Sequence, residues 1–393
     1  MGAAVGSGDL TRHNVPVTDR GVTYLDHAAS TPVRAEAVAA MLPFLTERIG
    51  NPSGAHAMAR DARNALDDAR VTLADALGCA PGEIVFTSGG TEADNAAVFS
   101  FADRGTVVCS AIEHHAVLDP VHRIGGRIVD VCGDGTVDLD SLARALDDDV
   151  TLVSVMLANN EIGTIQPLDD VAQLVRERAP RAALHTDAVQ AFPWLDIAAL
   201  AQPADLVSIS AHKFGGPKGS GVLVVRDGTP FTPRQIGGGQ ERERRSGTQN
   251  VAGIVAMAEA ARLTVDERKQ TVDRVTPLRD RLADELMTRV PGTIESGDRR
   301  RKIAGNCHLC FEGIESEALL FILEQDGIMA SAAASCASGA QDPSHVLAAL
   351  GLPRNVAQGS LRLSLGPTTH DDDVDLVLRV IPDAVARLRE HGS

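Results

Sequence analysis

Short apolar runs rich in residues favoured in strands recur along the first two-thirds of the chain, and helical stretches separate many of them. Seven runs predict strands, at residues 84–87, 106–109, 127–131, 152–157, 183–186, 206–209 and 222–225. Between two of these runs, residues 168–178 carry apolar side chains at the spacing of one helical face. Alternating strands and helices of this kind form a mostly parallel sheet that is covered on both faces. The pattern therefore predicts an α/β domain.

The last third of the chain has a different pattern of helical and strand-like segments. A long charged helical stretch at residues 265–289 precedes strand-like segments near residues 306–311 and 361–365, and a final helical region is interrupted by Pro382. This pattern predicts a smaller α+β domain, with the N-terminal strand at residues 23–25 as its expected partner. The predicted organisation is a disordered extension (1–20), an N-terminal segment that joins the small domain (21–32), a large α/β domain (33–264) and a small α+β domain (265–393).

Composition narrows the possible functions. Of the 393 residues, 44% are apolar and 23% are charged, which is typical of a globular protein. The formal charge of −16 (37 − 53) repels phosphate backbones, so we expect no direct nucleic-acid partner. No apolar run approaches the roughly 20 residues that cross a membrane, so we expect no membrane partner. The six cysteines show no disulfide framework and the N-terminus has no apolar signal segment, which predicts a cytoplasmic protein with reduced thiols.

A glycine-containing segment at residues 87–95 follows one predicted strand and opens a helix. Gly89 and Gly90 allow close backbone approach, and a helix N-terminus offers free N–H groups and a positive dipole end. The segment thus predicts a phosphate site, although it fits neither the Walker nor the dinucleotide-binding pattern. The alternative is an ordinary strand-to-helix turn in which Thr91 is the N-cap.

Lys213 and Asp187 each follow an apolar strand. A lysine at such a position can form a Schiff base once desolvation or nearby positive charge lowers its pKa, although most lysines are simply surface residues. A buried carboxylate is costly unless it is paired, so Asp187 needs a cation, for which the pyridinium nitrogen of pyridoxal phosphate is a candidate. The alternative for Asp187 is a cap on the next helix.

Cys336 lies among small residues at positions 331–340. A nucleophilic thiolate needs exposure and a path to its target, whereas a core cysteine packs among large apolar neighbours. This setting favours a nucleophilic cysteine. The alternative is a loop cysteine that has no function.

The other cysteines favour packing or no role. Cys307 and Cys310 have a spacing that begins many zinc sites, but on a strand their side chains point to opposite sides, so we predict no metal. The remaining three are predicted to be packing residues, namely Cys79, Cys109 and Cys132.

These motifs, in this order, resemble the cysteine desulfurase family of class V aminotransferase-like enzymes. Further matching segments are residues 24–29, 50–53, 113–117, 159–164, 237–241, 245–248, 342–347 and 360–366. The resemblance implies the fold type I of pyridoxal phosphate-dependent transferases, with a mostly parallel seven-stranded sheet in the large domain. It also implies that pyridoxal phosphate is the cofactor.

The resemblance further implies a role for each matching residue. Lys213 would form the Schiff base, Cys336 would accept the sulfur, and His114 would stack on the ring and manage protons with a pKa near working pH. Arg362 and Asn51 would bind the substrate carboxylate, with Asn160 contacting both cofactor and substrate. The remaining cofactor contacts would be Gly90, Thr91, Asp187, Gln190, Ser210, His212 and, from the neighbouring subunit of a homodimer, Thr248.

The implied reaction converts L-cysteine to L-alanine and leaves a persulfide on Cys336. Acceptor proteins, such as an iron–sulfur scaffold or a sulfur carrier, would then receive the sulfur for iron–sulfur cluster assembly and for thio-cofactor or tRNA thiolation. The segment around Cys336 resembles the housekeeping subgroup with a long active-site loop, but residues 332–335 read Ala-Ala-Ala-Ser where a Ser-Gly-Ser-Ala-type run is usual. Alternatives are a selenocysteine lyase, another class V enzyme (a transaminase, an epimerase or a kynureninase-like enzyme), a sulfur-transfer scaffold without activity, and a zinc or iron protein.

Overall fold

The computed structural model describes residues 21–332 and 344–391. In this part of the chain the strands are β1 (Thr23–Tyr24), β2 (Ile84–Thr87), β3 (Thr106–Ser110), β4 (Arg127–Val129), β5 (Val150–Ser154), β6 (Ala183–Asp187), β7 (Leu206–Ser210), β8 (Gly221–Val225), β9 (Thr293–Glu295), β10 (Asn306–Phe311), β11 (Ile328–Met329) and β12 (Ser360–Ser364). The α-helices are α1 (Ala35–Thr46), α2 (Ala57–Leu77), α3 (Gly90–Phe101), α4 (His115–Arg123), α5 (Leu139–Ala145), α6 (Leu168–Arg178), α7 (Ile197–Leu200), α8 (Val251–Arg289), α9 (Ser316–Gln325), α10 (His345–Ala349), α11 (Arg354–Ala357) and α12 (Asp371–His391).

A seven-stranded sheet in the order β2-β8-β7-β6-β5-β3-β4 forms the centre of the larger unit. All its strands run in one direction except β8, which is antiparallel to both of its neighbours. Consecutive residues Val85 and Phe86 are both buried, each in a different hydrophobic cluster, because helices cover both faces of the sheet. The predicted mostly parallel seven-stranded sheet is confirmed. Two predicted strands are too long at their ends, since β4 stops at Val129 and β5 stops at Ser154.

A second, smaller unit contains the antiparallel sheet β9-β10-β12, and β1 pairs in parallel with β11 beside it. Its core is separate from that of the large sheet and includes Leu282, Leu309 and Leu363. Helix α8 belongs to both units, because Ile254 near its start packs in the large core and Leu282 near its end packs in the small one. The predicted change of domain at residue 265 therefore falls inside one continuous helix, and the domain boundaries stay predictions.

Helix α12 also differs from the sequence-based prediction. Pro382 lies within it and does not interrupt it. Proline has no N–H and frees the carbonyl four residues earlier, which here is Leu378 O. Nη1 of Arg289 donates to that oxygen at 3.1 Å. A neighbouring helix thus satisfies the group that the proline leaves without its intrahelical partner.

None of the helices in residues 21–332 and 344–391 is long and apolar enough to cross a membrane. Within the same ranges, no group of three or more histidine, cysteine or acidic side chains is arranged to hold a metal ion.

Candidate active site

A cavity of about 460 Å³ opens at the carboxyl ends of β6 and β7. Parallel strands bring their carboxyl ends to one edge of a sheet, and such an edge is the usual place for a ligand site in an α/β fold. The cavity brings together ten of the predicted site residues: Gly90, Thr91, His114, Asn160, Asp187, Gln190, Ser210, His212, Lys213 and Arg362. Asn51 and Thr248 are exposed and do not line it. Cys336 lies outside the described residues.

Lys213 directs its amine into this cavity from the turn that follows β7. Its Nζ donates to the backbone oxygens of Ala28 at 2.5 Å and Ala29 at 3.0 Å. Burial, reinforced by the positive charge of Arg362, lowers the pKa of Lys213 to about 8, although Asp187 and Asp26 oppose the shift. The surface-lysine alternative is therefore wrong. An amine with this pKa is partly neutral near pH 8 and can act as a nucleophile or a base.

Asp187 ends β6 and is buried. One carboxylate oxygen, Oδ1, accepts the N–H of Val189 at 2.8 Å, within a turn. The helix-cap alternative is wrong, because the next α-helix begins only at Ile197. Burial raises the pKa of Asp187 to about 6, while the Val189 N–H and the charge of Lys213 oppose the rise. A cation that bound against this carboxylate would keep it ionised.

Two further buried acids, Asp94 and Glu113, interact electrostatically with Asp187, and sequence reasoning gave neither of them a role. Asp94 lines the cavity, and burial together with the charge of Asp187 raises its pKa well above the usual range. Burial also raises the pKa of Glu113 to about 8, although hydrogen bonds from Ser110 and Met156 N–H oppose the shift. Asp94 could have been found, since it lies four residues after Gly90 and so shares its helical face.

The N-terminus of α3 has the features of an anion site. The helix begins at Gly90 and its N-cap is Gly89, whose φ of 148° favours glycine. Thr91 therefore lies in the first turn, and the interpretation of Thr91 as the N-cap is wrong. A Cβ at Gly90 would lie 2.9 Å from Cγ2 of Val189, so close packing also requires glycine there. Gly90 and Thr91 line the same cavity as Ser210 and His212, and the first N–H groups of a helix have no partner within the helix.

His114 is neutral in this site. Its Nδ1 accepts the N–H of Ala116 at 3.1 Å, which leaves the ring proton on Nε2. Burial lowers the pKa of His114 to about 4, and the charges of Lys213, His115 and His345 add to this effect. The expectation of a histidine with a pKa near working pH is therefore wrong. A neutral ring can still stack on a ligand and donate from Nε2.

Arg362 reaches the cavity from β12, in the smaller unit, with only 6% of its side chain exposed. Its Nη2 donates to Oδ1 of Asp26 at 2.9 Å, and its Nη1 donates to the backbone oxygen of Asn160 at 3.0 Å. A guanidinium held at two points can still offer hydrogens to a carboxylate. The residue that supports it, Asp26, is a further functional candidate that sequence reasoning did not identify.

Hydrogen bonds anchor the described residues on either side of segment 333–343, to Arg362 on one side and to Glu161 on the other. Ser331 lines the cavity and accepts the backbone N–H of Arg362 at 2.7 Å. On the other side, Ser344 caps α10 and donates its hydroxyl to the buried carboxyl group of Glu161. The described chain therefore reaches the cavity at Ser331, on the N-terminal side of the segment that contains Cys336.

The remaining cysteines were predicted only in part. Cys307 packs in the core of the smaller unit and Cys310 packs against Ile112 and Met156, so the prediction of opposite sides is confirmed. Cys109 is buried, but Cys132 is exposed because it follows the end of β4 and lies in a turn. The prediction that Cys132 is a packing residue is wrong.

The chain is similar to known proteins over most of its length. The aminotransferase class-V family matches residues 23–377. The chain is 43% identical to the cysteine desulfurase IscS of Methanosarcina thermophila, with 95% of this chain and 94% of the relative covered. Among solved structures, a NifS-like protein is similar with a TM-score of 0.87 at 35% identity, covering 93% of this chain and all of the other. The structure of SspA in complex with cysteine is similar with a TM-score of 0.76 at 31% identity, covering 88% and 99% of the two chains.

Proposed function

The chain belongs to the cysteine desulfurases of the class V aminotransferase family, and from this premise we propose the roles of its residues. It takes sulfur from L-cysteine, with pyridoxal phosphate as cofactor and Cys336 as the first sulfur acceptor. The observation that carries the proposal is the arrangement of three groups in one cavity: an amine of lowered pKa on Lys213, a buried acid at Asp187 and a guanidinium at Arg362. The solved complex of a similar protein with cysteine supports the choice of substrate.

The residues of the cavity fit pyridoxal phosphate. Its cationic ring nitrogen would satisfy Asp187, whose charge burial opposes, and Gln190 and His114 would contact the ring. Its phosphate would be held at the N-terminus of α3 by Gly90 and Thr91, with Ser210, His212 and Thr248 of a second subunit. Thr248 is exposed, as a residue offered to another subunit must be. When bound, the cofactor supplies an electron sink for the substrate's α-carbon.

The chain's own residues bind the substrate and transfer its protons. Arg362 and Asn51 bind the substrate carboxylate, and Asn160 contacts the substrate beside them. The amine of Lys213 accepts a proton from the α-carbon and returns one, which a pKa of about 8 allows near neutral pH. The neutral His114 donates from Nε2 near the substrate thiol.

Sulfur transfer takes place at Cys336. Its thiolate forms a bond to the substrate sulfur while the carbon–sulfur bond of the substrate breaks, so that Cys336 holds a persulfide and L-alanine leaves. An acceptor protein, such as an iron–sulfur scaffold or a sulfur carrier, then receives the sulfur for cluster assembly and for thio-cofactor or tRNA thiolation. We place this activity in the cytoplasm and in a homodimer.

Release of L-alanine and sulfide from L-cysteine, in the presence of a thiol reductant, tests the proposal. The wild-type protein should turn over, and Cys336→Ala and Lys213→Ala should not. Cys132→Ala is the matched control, because Cys132 is exposed and does not line the cavity. Turnover that survives Cys336→Ala would indicate lyase chemistry without a persulfide, as in a selenocysteine lyase. Absence of turnover in a cofactor-loaded wild-type protein would contradict the proposal.

A further inference from the structure

The residues that the structure describes use only part of the hydrogen-bonding capacity of the Arg362 guanidinium. Its two Nη atoms carry four hydrogens. One hydrogen on Nη2 goes to Oδ1 of Asp26 and one on Nη1 goes to the backbone oxygen of Asn160. Among the contacts of the described residues, one hydrogen therefore remains on each Nη atom. These two hydrogens suit a carboxylate that binds with both oxygens.

Asp26 is itself fixed by its surroundings. It lies one residue after the end of β1, since only Leu25 intervenes, and its backbone forms a bridge with Ser364 of β12. Its carbonyl oxygen accepts the N–H of Ala29 at 3.0 Å and the hydroxyl of Tyr24 at 3.1 Å. The carboxylate therefore sits on a turn whose position is set by both the first and the last strand of the described chain.

The same turn, residues 26–30, also reaches Lys213. The backbone oxygens of Ala28 and Ala29 accept the hydrogens of Nζ. The charge of Asp26 raises the pKa of Lys213, whereas the charge of Arg362 lowers it. One short turn thus touches two of the groups on which the proposed function depends.

We propose that Asp26 is a positioning residue for Arg362. It holds the guanidinium so that the two unused Nη hydrogens face the cavity, and it thereby sets the affinity for the substrate carboxylate without touching the substrate. The inference rests on the proposed function, in which Arg362 binds that carboxylate. An arginine side chain that is already ordered loses little conformational freedom when a ligand binds, which favours affinity.

The test compares Asp26→Ala and Asp26→Asn in the cofactor-loaded protein. Asp26→Ala removes the acceptor, so KM for L-cysteine should rise about tenfold, as expected for a lost hydrogen bond to a charged group, while kcat changes by less than about twofold. Asp26→Asn keeps an acceptor oxygen and should lie between the wild type and Asp26→Ala. Inhibition by L-alanine, which has the same carboxylate, should weaken by the same factor as KM rises. Inhibition by cysteamine, which has no carboxylate, should not change.

Controls separate this inference from the function on which it rests. If Arg362→Ala leaves inhibition by L-alanine unchanged, the role of Arg362 is wrong. If Arg362→Ala weakens that inhibition and both Asp26 variants leave it unchanged or tighten it, only the role of Asp26 is wrong. Asp61→Ala removes an ion pair with Arg48 that has two contacts of 2.7 Å outside the cavity lining, and it should leave all these constants as they are. Thermal unfolding shows whether each variant is folded, and Asp26→Asn keeps the test decisive if Asp26→Ala is not.

Discussion

The two sides of the cavity hold their charged groups in different ways. On the sheet side, formed by Asp94, Asp187 and Lys213, burial opposes the ordinary charge of each group, so that the pKa of Asp187 rises to about 6 and that of Lys213 falls to about 8. On the arginine side, formed by Asp26, Asn160 and Arg362, the cation is already paired with a carboxylate at 2.9 Å.

This difference indicates what each side needs from a ligand. A buried acid is stabilised when a ligand brings a cation, whereas a paired arginine gains mainly through the geometry of the contact. We therefore expect losses on the sheet side to abolish ligand binding and losses on the arginine side to weaken it. The predictions below test this contrast in order of expected size.

The largest effect is expected from Asp187→Ala. Removal of a buried charge partner costs about 4 kcal/mol, or about a thousandfold in affinity. The variant should lose pyridoxal phosphate on dialysis, seen as loss of visible absorbance, and should release L-alanine at least about a thousandfold more slowly. Asp273→Ala, which removes an exposed acid paired with Lys269, is the control and should keep both properties. An Asp187→Ala protein that stays yellow and active would show that the buried acid is not needed for cofactor binding, and would contradict the contrast between the two sides.

Arg362→Lys should have a smaller and different effect. Lysine keeps the positive charge but cannot bind a carboxylate with two parallel hydrogen bonds. Loss of one such bond to a charged group costs about 2 kcal/mol, so KM for L-cysteine should rise about thirtyfold. The visible absorbance of the cofactor should persist, because the substitution leaves the sheet side intact. Loss of the cofactor together with substrate affinity would show that the two sides are not separable.

The sequence predicts the sheet side of the cavity better than the arginine side, because the two sides are assembled from different kinds of segments. Asp187 and Lys213 directly follow apolar strands, so the rule that parallel strands end at one edge of a sheet brings them together. Asp26 and Arg362 are 336 positions apart, and no local pattern pairs them. The pKa of His114 depends on burial by several elements at once, which explains why its ordinary value was the wrong expectation. The exposure of Cys132 depended on where β4 ends, and strand ends are poorly defined by apolar runs.

The sheet side also predicts that an inactivating substitution stabilises the protein. In the cofactor-free protein the pKa of Asp187 is raised from 3.8 to about 6, so between these pH values the folded state binds more protons than the unfolded state. Stability contributed by this group is therefore lost as pH rises through that window. Asp187→Asn does not ionise, so it should be more stable than the wild type by on the order of 2 kcal/mol above pH 6 and equal to it near pH 4. Denaturant unfolding of both cofactor-free proteins at the two pH values measures this difference.

The smallest effect concerns the support of the arginine side. Ser344 caps α10, where its hydroxyl oxygen accepts the N–H of Val346 at 3.1 Å, and the same hydroxyl donates to Glu161. Burial raises the pKa of Glu161 to about 7, and the hydrogen bond from Ser344 and the charge of Arg362 oppose the rise. Ser344→Ala should lower the free energy of unfolding by about 1 kcal/mol through loss of the cap.

The loss of stability in Ser344→Ala should come from the missing hydroxyl, and it should leave the sheet side of the cavity unchanged. Ser344→Thr keeps the hydroxyl and should retain most of the stability, which distinguishes loss of the cap from a general disturbance of α10. In both variants the cofactor absorbance should stay at the wild-type level, since neither substitution reaches Asp187 or Lys213. An equal loss of stability in Ser344→Thr and Ser344→Ala would show that packing around the side chain, and not its hydrogen bonds, supports this side of the cavity.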